Sequence, residues 1–176
     1  MVQAAIIGAL YVALTLFVAP LSFGAVQFRF AEALTILPVF TSAAIPGLTV
    51  GCLIANIIGS PFAVDAVFGT FATFLAAVLT RKTRNILLKS QPVLSTVFPV
   101  ILNGIIVGLE ICLFTFPQNS TQATFVGFSN ISLTAFLTSC GWVMLGEFVC
   151  CCILGLLLYN SLKKTGVFDR SYFRTE

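Results

Sequence analysis

Charged side chains are scarce in this chain of 176 residues, since Asp, Glu, Lys and Arg together make up only 9% of it. Hydrophobic residues account for 59%, and the mean hydropathy is +1.07. A water-soluble domain of this size needs far more charge on its surface. The composition therefore excludes an ordinary soluble domain. It predicts an integral protein of the cell membrane, with lipid as the solvent for most of the chain.

Histidine is absent, which excludes a Ser/His/Asp or Cys/His catalytic arrangement and removes the usual nitrogen ligand of zinc. The six cysteines lie in apolar segments, without a disulfide framework or a metal-binding spacing. The phosphate-binding pattern GxxxxGK[ST] is also missing. The sequence thus predicts neither an enzyme nor a metal site, and no cofactor in this chain. Its net charge of +3 does not indicate a nucleic-acid partner. Active transport would need a partner or an ion gradient.

Six apolar segments predict an all-α fold: a compact bundle of six transmembrane helices forming a single domain over residues 1–176. The last two segments are long enough to cross a bilayer, which takes about 20 apolar residues, and the first and fourth are near that limit. The second and third are short and would suit either tilted helices or a re-entrant pair. The predicted helices are 2–18, 30–40, 45–59, 64–80, 93–116 and 131–159, followed by a tail at 160–176.

The basic residues predict the orientation of this bundle. With the N-terminus inside, eight of the nine basic residues fall in the loop at 81–91 and in the tail, which would then both be cytoplasmic. This distribution follows the positive-inside rule, and it requires an even number of helices. We therefore expect both termini to be cytoplasmic. Arg29 is the exception on the outer side, which makes it a candidate for a functional role.

Four of the six acidic residues lie in or beside apolar segments: Glu32, Asp65, Glu110 and Glu147. A charge at the middle of a spanning helix costs about 2.5–3.5 kcal/mol on insertion scales, so such residues usually face a cavity or a partner. The six-helix topology places all four toward the outer side, with Glu147 the deepest. Asn56 lies in the outer half of the third helix. Asn103 precedes Glu110 by seven residues and shares its helix face.

Each of these residues also has a purely structural interpretation. Arg29 and Glu32 are three positions apart and could neutralise each other at the membrane edge. Glu110 and Glu147 could be protonated carboxyls bonded to a neighbouring helix, and Asp65 could cap the fourth helix. Taken together, however, four carboxylates and two carboxamides converging on one outward-facing region favour a polar pocket within a bundle.

The residue types predict the chemistry of a ligand. An excess of carboxylate over one arginine suits a neutral or cationic molecule rich in N–H donors. One carboxylate can accept two parallel hydrogen bonds from a guanine-like edge, and a second can pair with an ammonium. Phenylalanines supply apolar walls, and Trp142 is a further stacking candidate, although it points about 140° away from Glu147 on an ideal helix. This chemistry leaves a purine-like base, an amine and a metal cation open.

Small residues recur at four-residue spacing in three predicted helices, which lets helix backbones approach closely in lipid. The stripes are Ala5, Ala9 and Ala13 in the first, Gly47, Gly51, Ala55 and Gly59 in the third, and Gly104 and Gly108 in the fifth. We expect internal packing for the third and fifth helices. The stripe of the first helix suits internal packing or an external partner helix equally.

The stretch FGAVQFRFAEALTILPVFTSAAIPGLTVGCLIANIIGS, followed by DAVFGTFATFLAAVLT, resembles the queuosine-precursor transporter family. Members of that family are substrate-binding S components of energy-coupling factor (ECF) transporters. The motifs QFRxxEALT, AAIPGL, CLIAN and DxxFG occur in the same order. The second half of the chain is similar more loosely, through its helix lengths, Asn103, Glu110 and the region from Trp142 to Glu147.

The resemblance implies a six-helix S component whose ligand site opens outward. It also implies that Ala5, Ala9 and Ala13 dock a transmembrane coupling subunit, while two ATPase subunits supply energy from ATP. The implied ligand is a deazaguanine base of the queuosine pathway, with the aminomethyl form favoured. The substrate-binding residues expected on this basis are Gln27, Arg29, Glu32, Asn56, Asp65, Asn103, Glu110, Trp142 and Glu147.

Three other functions remain compatible with the residues. The chain could be an S component for another vitamin or nucleobase. It could be a proton-coupled carrier in which Glu110 or Glu147 titrates. It could also be a structural membrane subunit whose acidic side chains serve only as interhelical bonds.

Overall fold

The computed structural model describes residues 1–23, 28–115, 124–127 and 132–165. These residues are mostly helical, in the order α1 Val2–Phe17, α2 Ala19–Ser22, α3 Ala44–Gly59, α4 Val64–Lys82, α5 Val93–Leu113, α6 Leu133–Glu147 and α7 Gly155–Thr165. A 3₁₀ helix, Phe30–Val39, precedes α3, and a π-helical segment, Phe148–Leu154, joins α6 to α7. Two short strands, β1 Phe114–Thr115 and β2 Thr124–Phe125, pair in antiparallel fashion.

Three helical stretches are long and apolar enough to cross a membrane: α4, α5 and the continuous stretch Leu133–Thr165. The helices at Val2–Phe17, Phe30–Val39 and Ala44–Gly59 are apolar but shorter. A helical membrane protein was predicted from composition, and the structure agrees. Length alone identifies three spans, however, where the sequence predicted six. The predicted fifth helix also ends early, at Leu113, because the chain turns there into β1.

The 3₁₀ helix Phe30–Val39 lies at the centre of the bundle. It contacts α1, α3, α4, α5, α7 and the π-helical segment, and most of its side chains are buried. A 3₁₀ helix rises about 2.0 Å per residue against 1.5 Å for an α-helix, so ten residues extend roughly 20 Å. Residues three apart eclipse each other, which aligns Glu32, Thr35 and Pro38. A short segment therefore reaches far through the core and presents Glu32 to its neighbours.

Close backbone contact between α1 and α3 depends on the glycines of α3. A methyl group added to Gly47 would lie 2.7 Å from the carbonyl oxygen of Ala4, and one added to Gly51 would lie 2.8 Å from that of Gly8. Contacts this short are not tolerated by real side chains. The structure therefore places these two glycines in internal packing, as their spacing predicts.

The glycines of α5 likewise allow close contact between α5 and α6. A methyl group on Gly104 would meet Cγ of Met144 at 2.2 Å, and one on Gly108 would meet Sγ of Cys140 at 2.6 Å. The two helices can approach this closely because α5 has no side chain at these points. This packing fixes α6, and with it Glu147 at its end, against α5.

One end of the bundle gathers the start of α1 and the end of α4. The hydroxyl of Thr41 donates to Oε1 of Gln3 at 3.3 Å, and Nη1 of Arg81 donates to the carbonyl of Pro38 at 3.1 Å. The N-terminal helix and the basic loop that follows α4 therefore share one end. That this end is cytoplasmic stays a prediction from the charge distribution.

Candidate ligand site

Arg29 points into the bundle. It is 2% exposed at the start of the 3₁₀ helix. Its Nε donates to the carbonyl oxygen of Ser22 at 3.3 Å, and its guanidinium carbon lies 5.5 Å from the centre of the Phe23 ring. A methyl group on Gly69 would lie 3.2 Å from Nη1 of Arg29 and 2.8 Å from Nδ2 of Asn56. The side chains of Arg29 and Asn56 therefore lie close together beside Gly69 of α4, which has no side chain of its own.

Glu32 is fully buried and is held by neighbouring elements. Its Oε1 accepts hydrogen bonds from the hydroxyl of Tyr11 in α1 and from that of Thr73 in α4, the latter at 3.1 Å. Its Oε2 has no hydrogen-bond partner among the described residues. The hydrogen bonds given above for Arg29 and Glu32 go to other groups, although the two charges still attract each other as their spacing suggests. Glu32 keeps one oxygen available.

Glu147 ends α6 and enters the same region, where the π-helical segment begins. It is 1% exposed, and its Oε2 accepts a hydrogen bond from the thiol of Cys151 at 3.2 Å. One carboxylate oxygen each of Glu32 and Glu147 and the sulfur of Cys151 all lie within 4.8 Å of one another. Single π-helical turns are frequent at functional sites.

Two carboxylates and a thiol at this distance form a set of possible metal ligands. The sequence analysis found no metal-binding spacing because Glu32 is far from the other two residues along the chain. In the structure the thiol of Cys151 serves as a hydrogen-bond donor to Glu147. The arrangement therefore suits any compact cation, organic or inorganic, that can lie between the two carboxylates.

Asn103 faces both of these carboxylates from α5. It is 2% exposed and interacts favourably with both carboxylates, yet neither atom of its carboxamide makes a hydrogen bond of normal length within the described residues. An unpaired buried amide is costly, and most buried polar groups in native proteins are paired. Such a group at the centre of a polar region is a candidate contact for a ligand.

Glu110 lies seven residues beyond Asn103, about 10 Å farther along the same face of α5. It is 1% exposed, and both of its carboxylate oxygens lack a hydrogen-bond partner in the described part of the chain. Its carboxyl group faces that of Asp65. It therefore forms the second buried polar position of this face of α5.

Asp65 ties the start of α4 to the loop that follows α3. Its Oδ2 accepts a hydrogen bond from the hydroxyl of Ser60, and its backbone carbonyl accepts one from Nδ2 of Asn56 at 3.1 Å. The N-cap residue of α4 is Ala63, and no side chain caps this helix. The capping role considered for Asp65 is therefore wrong. Asp65 instead braces the loop and holds Asn56 in place.

Seven of the nine predicted substrate-binding residues thus converge in one region of the bundle. We call this region the polar cluster: Arg29, Glu32, Asn56, Asp65, Asn103, Glu110 and Glu147. Gln27 lies outside the described residues. Trp142 is 51% exposed on the surface of α6, while Glu147 of the same helix is buried. The helix changes its winding only after Glu147, so it does not turn Trp142 inward.

Aromatic rings do lie near the C-terminal end of α5, but they are phenylalanines. Phe114 packs edge to face on Phe68 of α4 with ring centroids 6.0 Å apart, and it contacts Phe125 of β2 at 5.5 Å. Phe114 follows Glu110 by four residues, at the point where α5 ends. These rings supply the apolar wall that the sequence analysis expected from phenylalanine.

Sequence analysis missed three residues that contact the polar cluster: Tyr11, Thr73 and Cys151. Tyr11 carried a usable signal, because a tyrosine hydroxyl inside an apolar helix needs a hydrogen-bond partner. Thr73 and Cys151 carried none, since threonine and cysteine are common in helices buried in lipid. Their roles follow only from which helix lies opposite.

The three alanines of the first helix face outward. Ala5, Ala9 and Ala13 are exposed and line an open apolar groove of about 600 Å³ between α1 and α3. We call it the alanine groove. Gly47 and Gly51 contribute to its lining from α3. The alanine stripe is therefore not buried by α3 and stays accessible along its length.

The sequence matches a known family. A model of the family described as QueT transporter matches residues 1–164. The match runs from α1 almost to the end of α7, and so includes every residue of the polar cluster and of the alanine groove. The comparisons with curated proteins and with solved structures found no match.

Proposed function

The chain belongs to the QueT transporter family, and on that premise we propose that it is the substrate-binding S component of an energy-coupling factor importer. Its ligand is a queuosine precursor, a deazaguanine base with the aminomethyl form favoured, captured at the outer side of the cell membrane. A transmembrane coupling subunit and two ATPase subunits complete the importer, and the ATPases supply the energy.

The observation that carries this proposal is the set of buried atoms in the polar cluster that have no hydrogen-bond partner among the described residues. They are both carboxylate oxygens of Glu110, both amide atoms of Asn103 and Oε2 of Glu32. Leaving a buried polar group unpaired costs roughly 1–3 kcal/mol, and more if it is charged. A base rich in N–H donors would satisfy the carboxylates, and a positive charge on the same molecule would offset their excess over Arg29.

The alanine groove supports the partner part of the proposal. In lipid, helices associate where small residues let their backbones approach closely. Ala5, Ala9 and Ala13 present such a surface along α1, bordered by the exposed side chains of Ile6 and Leu10. A helix of the coupling subunit is the occupant we assign to this surface.

Calorimetric titration of the purified chain in detergent tests the ligand assignment. The aminomethyl deazaguanine base should bind saturably, whereas riboflavin, thiamine and biotin should not. Binding of one of those vitamins and not of the base would reassign the substrate. No binding of any of these compounds would favour a structural subunit.

Uptake into liposomes tests the energy source. The purified chain alone should not accumulate the base under a pH gradient, because the proposal places the energy supply in partner subunits. Accumulation driven by the gradient alone would overturn the proposal in favour of a proton-coupled carrier.

A further inference from the structure

The unpartnered atoms of the polar cluster lie at two separate levels of the bundle, and they offer different geometries. The inner level comprises the unpartnered atoms of Glu32 and Asn103, with the Glu147 carboxylate beside them, while the outer level is centred on Glu110. Asn103 and Glu110 share one face of α5 and are separated by about 10 Å along the helix axis. A ligand that satisfies both levels must therefore be elongated and must carry hydrogen-bond donors at both ends.

The inner level offers single contacts from two directions. Oε1 of Glu32 is occupied by Tyr11 and Thr73, and Oε2 of Glu147 by the thiol of Cys151. Oε2 of Glu32 is unpartnered among the described residues. Arg29 is a cation that acts on both carboxylates, so the pair still carries an excess of negative charge. That excess suits a second, compact positive charge with donors directed at several acceptors. A primary ammonium has three such donors.

The outer level offers the opposite geometry. Neither oxygen of the single Glu110 carboxylate makes a hydrogen bond of normal length within the described ranges, although the Asp65 carboxyl group faces it. A carboxylate with both oxygens available accepts two parallel N–H donors of a planar group. The adjacent rings of Phe114 and Phe68 provide an apolar wall for such a group. This level therefore suits the flat edge of a base.

We infer that the site binds its ligand lengthwise and in one direction: a cationic arm lies inside, between Glu32 and Glu147 beside Asn103, and the N–H edge of the ring lies outside, on Glu110. This inference rests on the proposed function and adds to it the orientation of the base. It makes Glu32 and Glu147 the residues that select for a positive charge. Glu110 recognises the ring whatever the arm carries.

A comparison of two ligands and two variants tests the orientation. The ligands are the aminomethyl deazaguanine base and the same base with an uncharged nitrile arm. Glu147→Gln should lower affinity for the aminomethyl base at least about tenfold, and for the nitrile base less than about threefold, because the lost charge faces only the arm. Glu110→Gln should lower affinity for both bases by a similar factor.

Calorimetry measures the affinities, and gel filtration in detergent confirms that each variant is folded. If Glu147→Gln does not fold, Glu32→Gln should show the same selective loss. Equal losses for both bases at Glu147 and Glu32, or a charge-selective loss at Glu110, would overturn the orientation and leave the proposed function standing. If neither base binds the wild-type chain, the proposed function fails and the orientation fails with it.

Discussion

The hydroxyl of Tyr11 donates a hydrogen bond to Oε1 of Glu32 and so joins α1 to the central 3₁₀ helix. Two residues along an α-helix correspond to a turn of about 200°, so Tyr11 lies on the face of α1 opposite Ala9 and Ala13. One face of this helix therefore borders the polar cluster while the other lines the alanine groove. A change in the position of α1 would therefore alter both the polar cluster and the alanine groove.

Replacement of Tyr11 by phenylalanine should weaken ligand binding. The ring would still fill its space, but Oε1 of Glu32 would lose its donor from α1 and keep only Thr73. A hydrogen bond to a charged group contributes about 1.5–3 kcal/mol, so we expect affinity for the aminomethyl base to fall roughly tenfold or more. Tyr159→Phe is the matched control, because that ring stacks on Phe40 far from the polar cluster. Equal affinities for the two variants would contradict this role.

Gly69→Ala should damage the site without removing any polar group. The added methyl group would lie 2.8 Å from Nδ2 of Asn56 and 3.2 Å from Nη1 of Arg29, so these side chains must move. Overpacking of this kind costs about 1–3 kcal/mol, and we expect a loss of affinity of roughly fivefold or more by calorimetry. Gly141→Ala is the control, because a methyl group there meets nothing within 4 Å. A normal affinity of Gly69→Ala would show that Arg29 and Asn56 are not ligand contacts.

Ala9→Trp should separate binding from assembly. The bulky ring would fill the alanine groove, so we expect the variant to bind the base normally but to lose co-purification with the coupling subunit and to lose uptake. Ile57→Trp is the comparison, since Ile57 is 64% exposed on α3 but does not line the groove. If both variants assemble equally well, the coupling subunit docks elsewhere.

Trp142→Ala should leave ligand affinity unchanged within about twofold. Its indole is half exposed on the surface of α6, whereas the ligand is expected among the buried residues behind it. The relevant measurement is the same calorimetric titration, with Phe114→Ala as the aromatic variant that should weaken binding. A large loss with Trp142→Ala would restore that residue to the site and require a different position of α6.

The charged and amide residues of the site could be predicted from sequence because lipid makes them conspicuous. A carboxylate such as Glu110 in an apolar segment is expensive, so it points to a cavity or a partner. The sequence also correctly placed Asn103 and Glu110 on one helix face. It gave no such signal for Thr73 or Cys151, whose polar groups are ordinary in buried helices.

The local geometry was harder to predict for physical reasons. The segment at Phe30–Val39 has the composition of a short α-helix, yet it is wound as a 3₁₀ helix. It packs against six neighbouring elements, and the local sequence does not encode those contacts. The π-helical winding after Glu147 has no sequence rule of its own. The end of α5 at Leu113 coincides with the pairing of β1 with β2, a contact that the sequence of α5 itself does not encode.

The polar cluster and the residues in contact with it draw on at least six parts of the chain: Tyr11 from α1, Glu32 from the 3₁₀ helix, Asn56 from α3, Thr73 from α4, Asn103 from α5 and Glu147 from α6. The site therefore exists only in the folded chain, and a bound molecule would contact several elements of the bundle at once. By mass action, a ligand at one hundred times its dissociation constant should add about 2.7 kcal/mol to the free energy of unfolding. Heat resistance that rises with ligand concentration is thus a direct consequence of how the site is assembled.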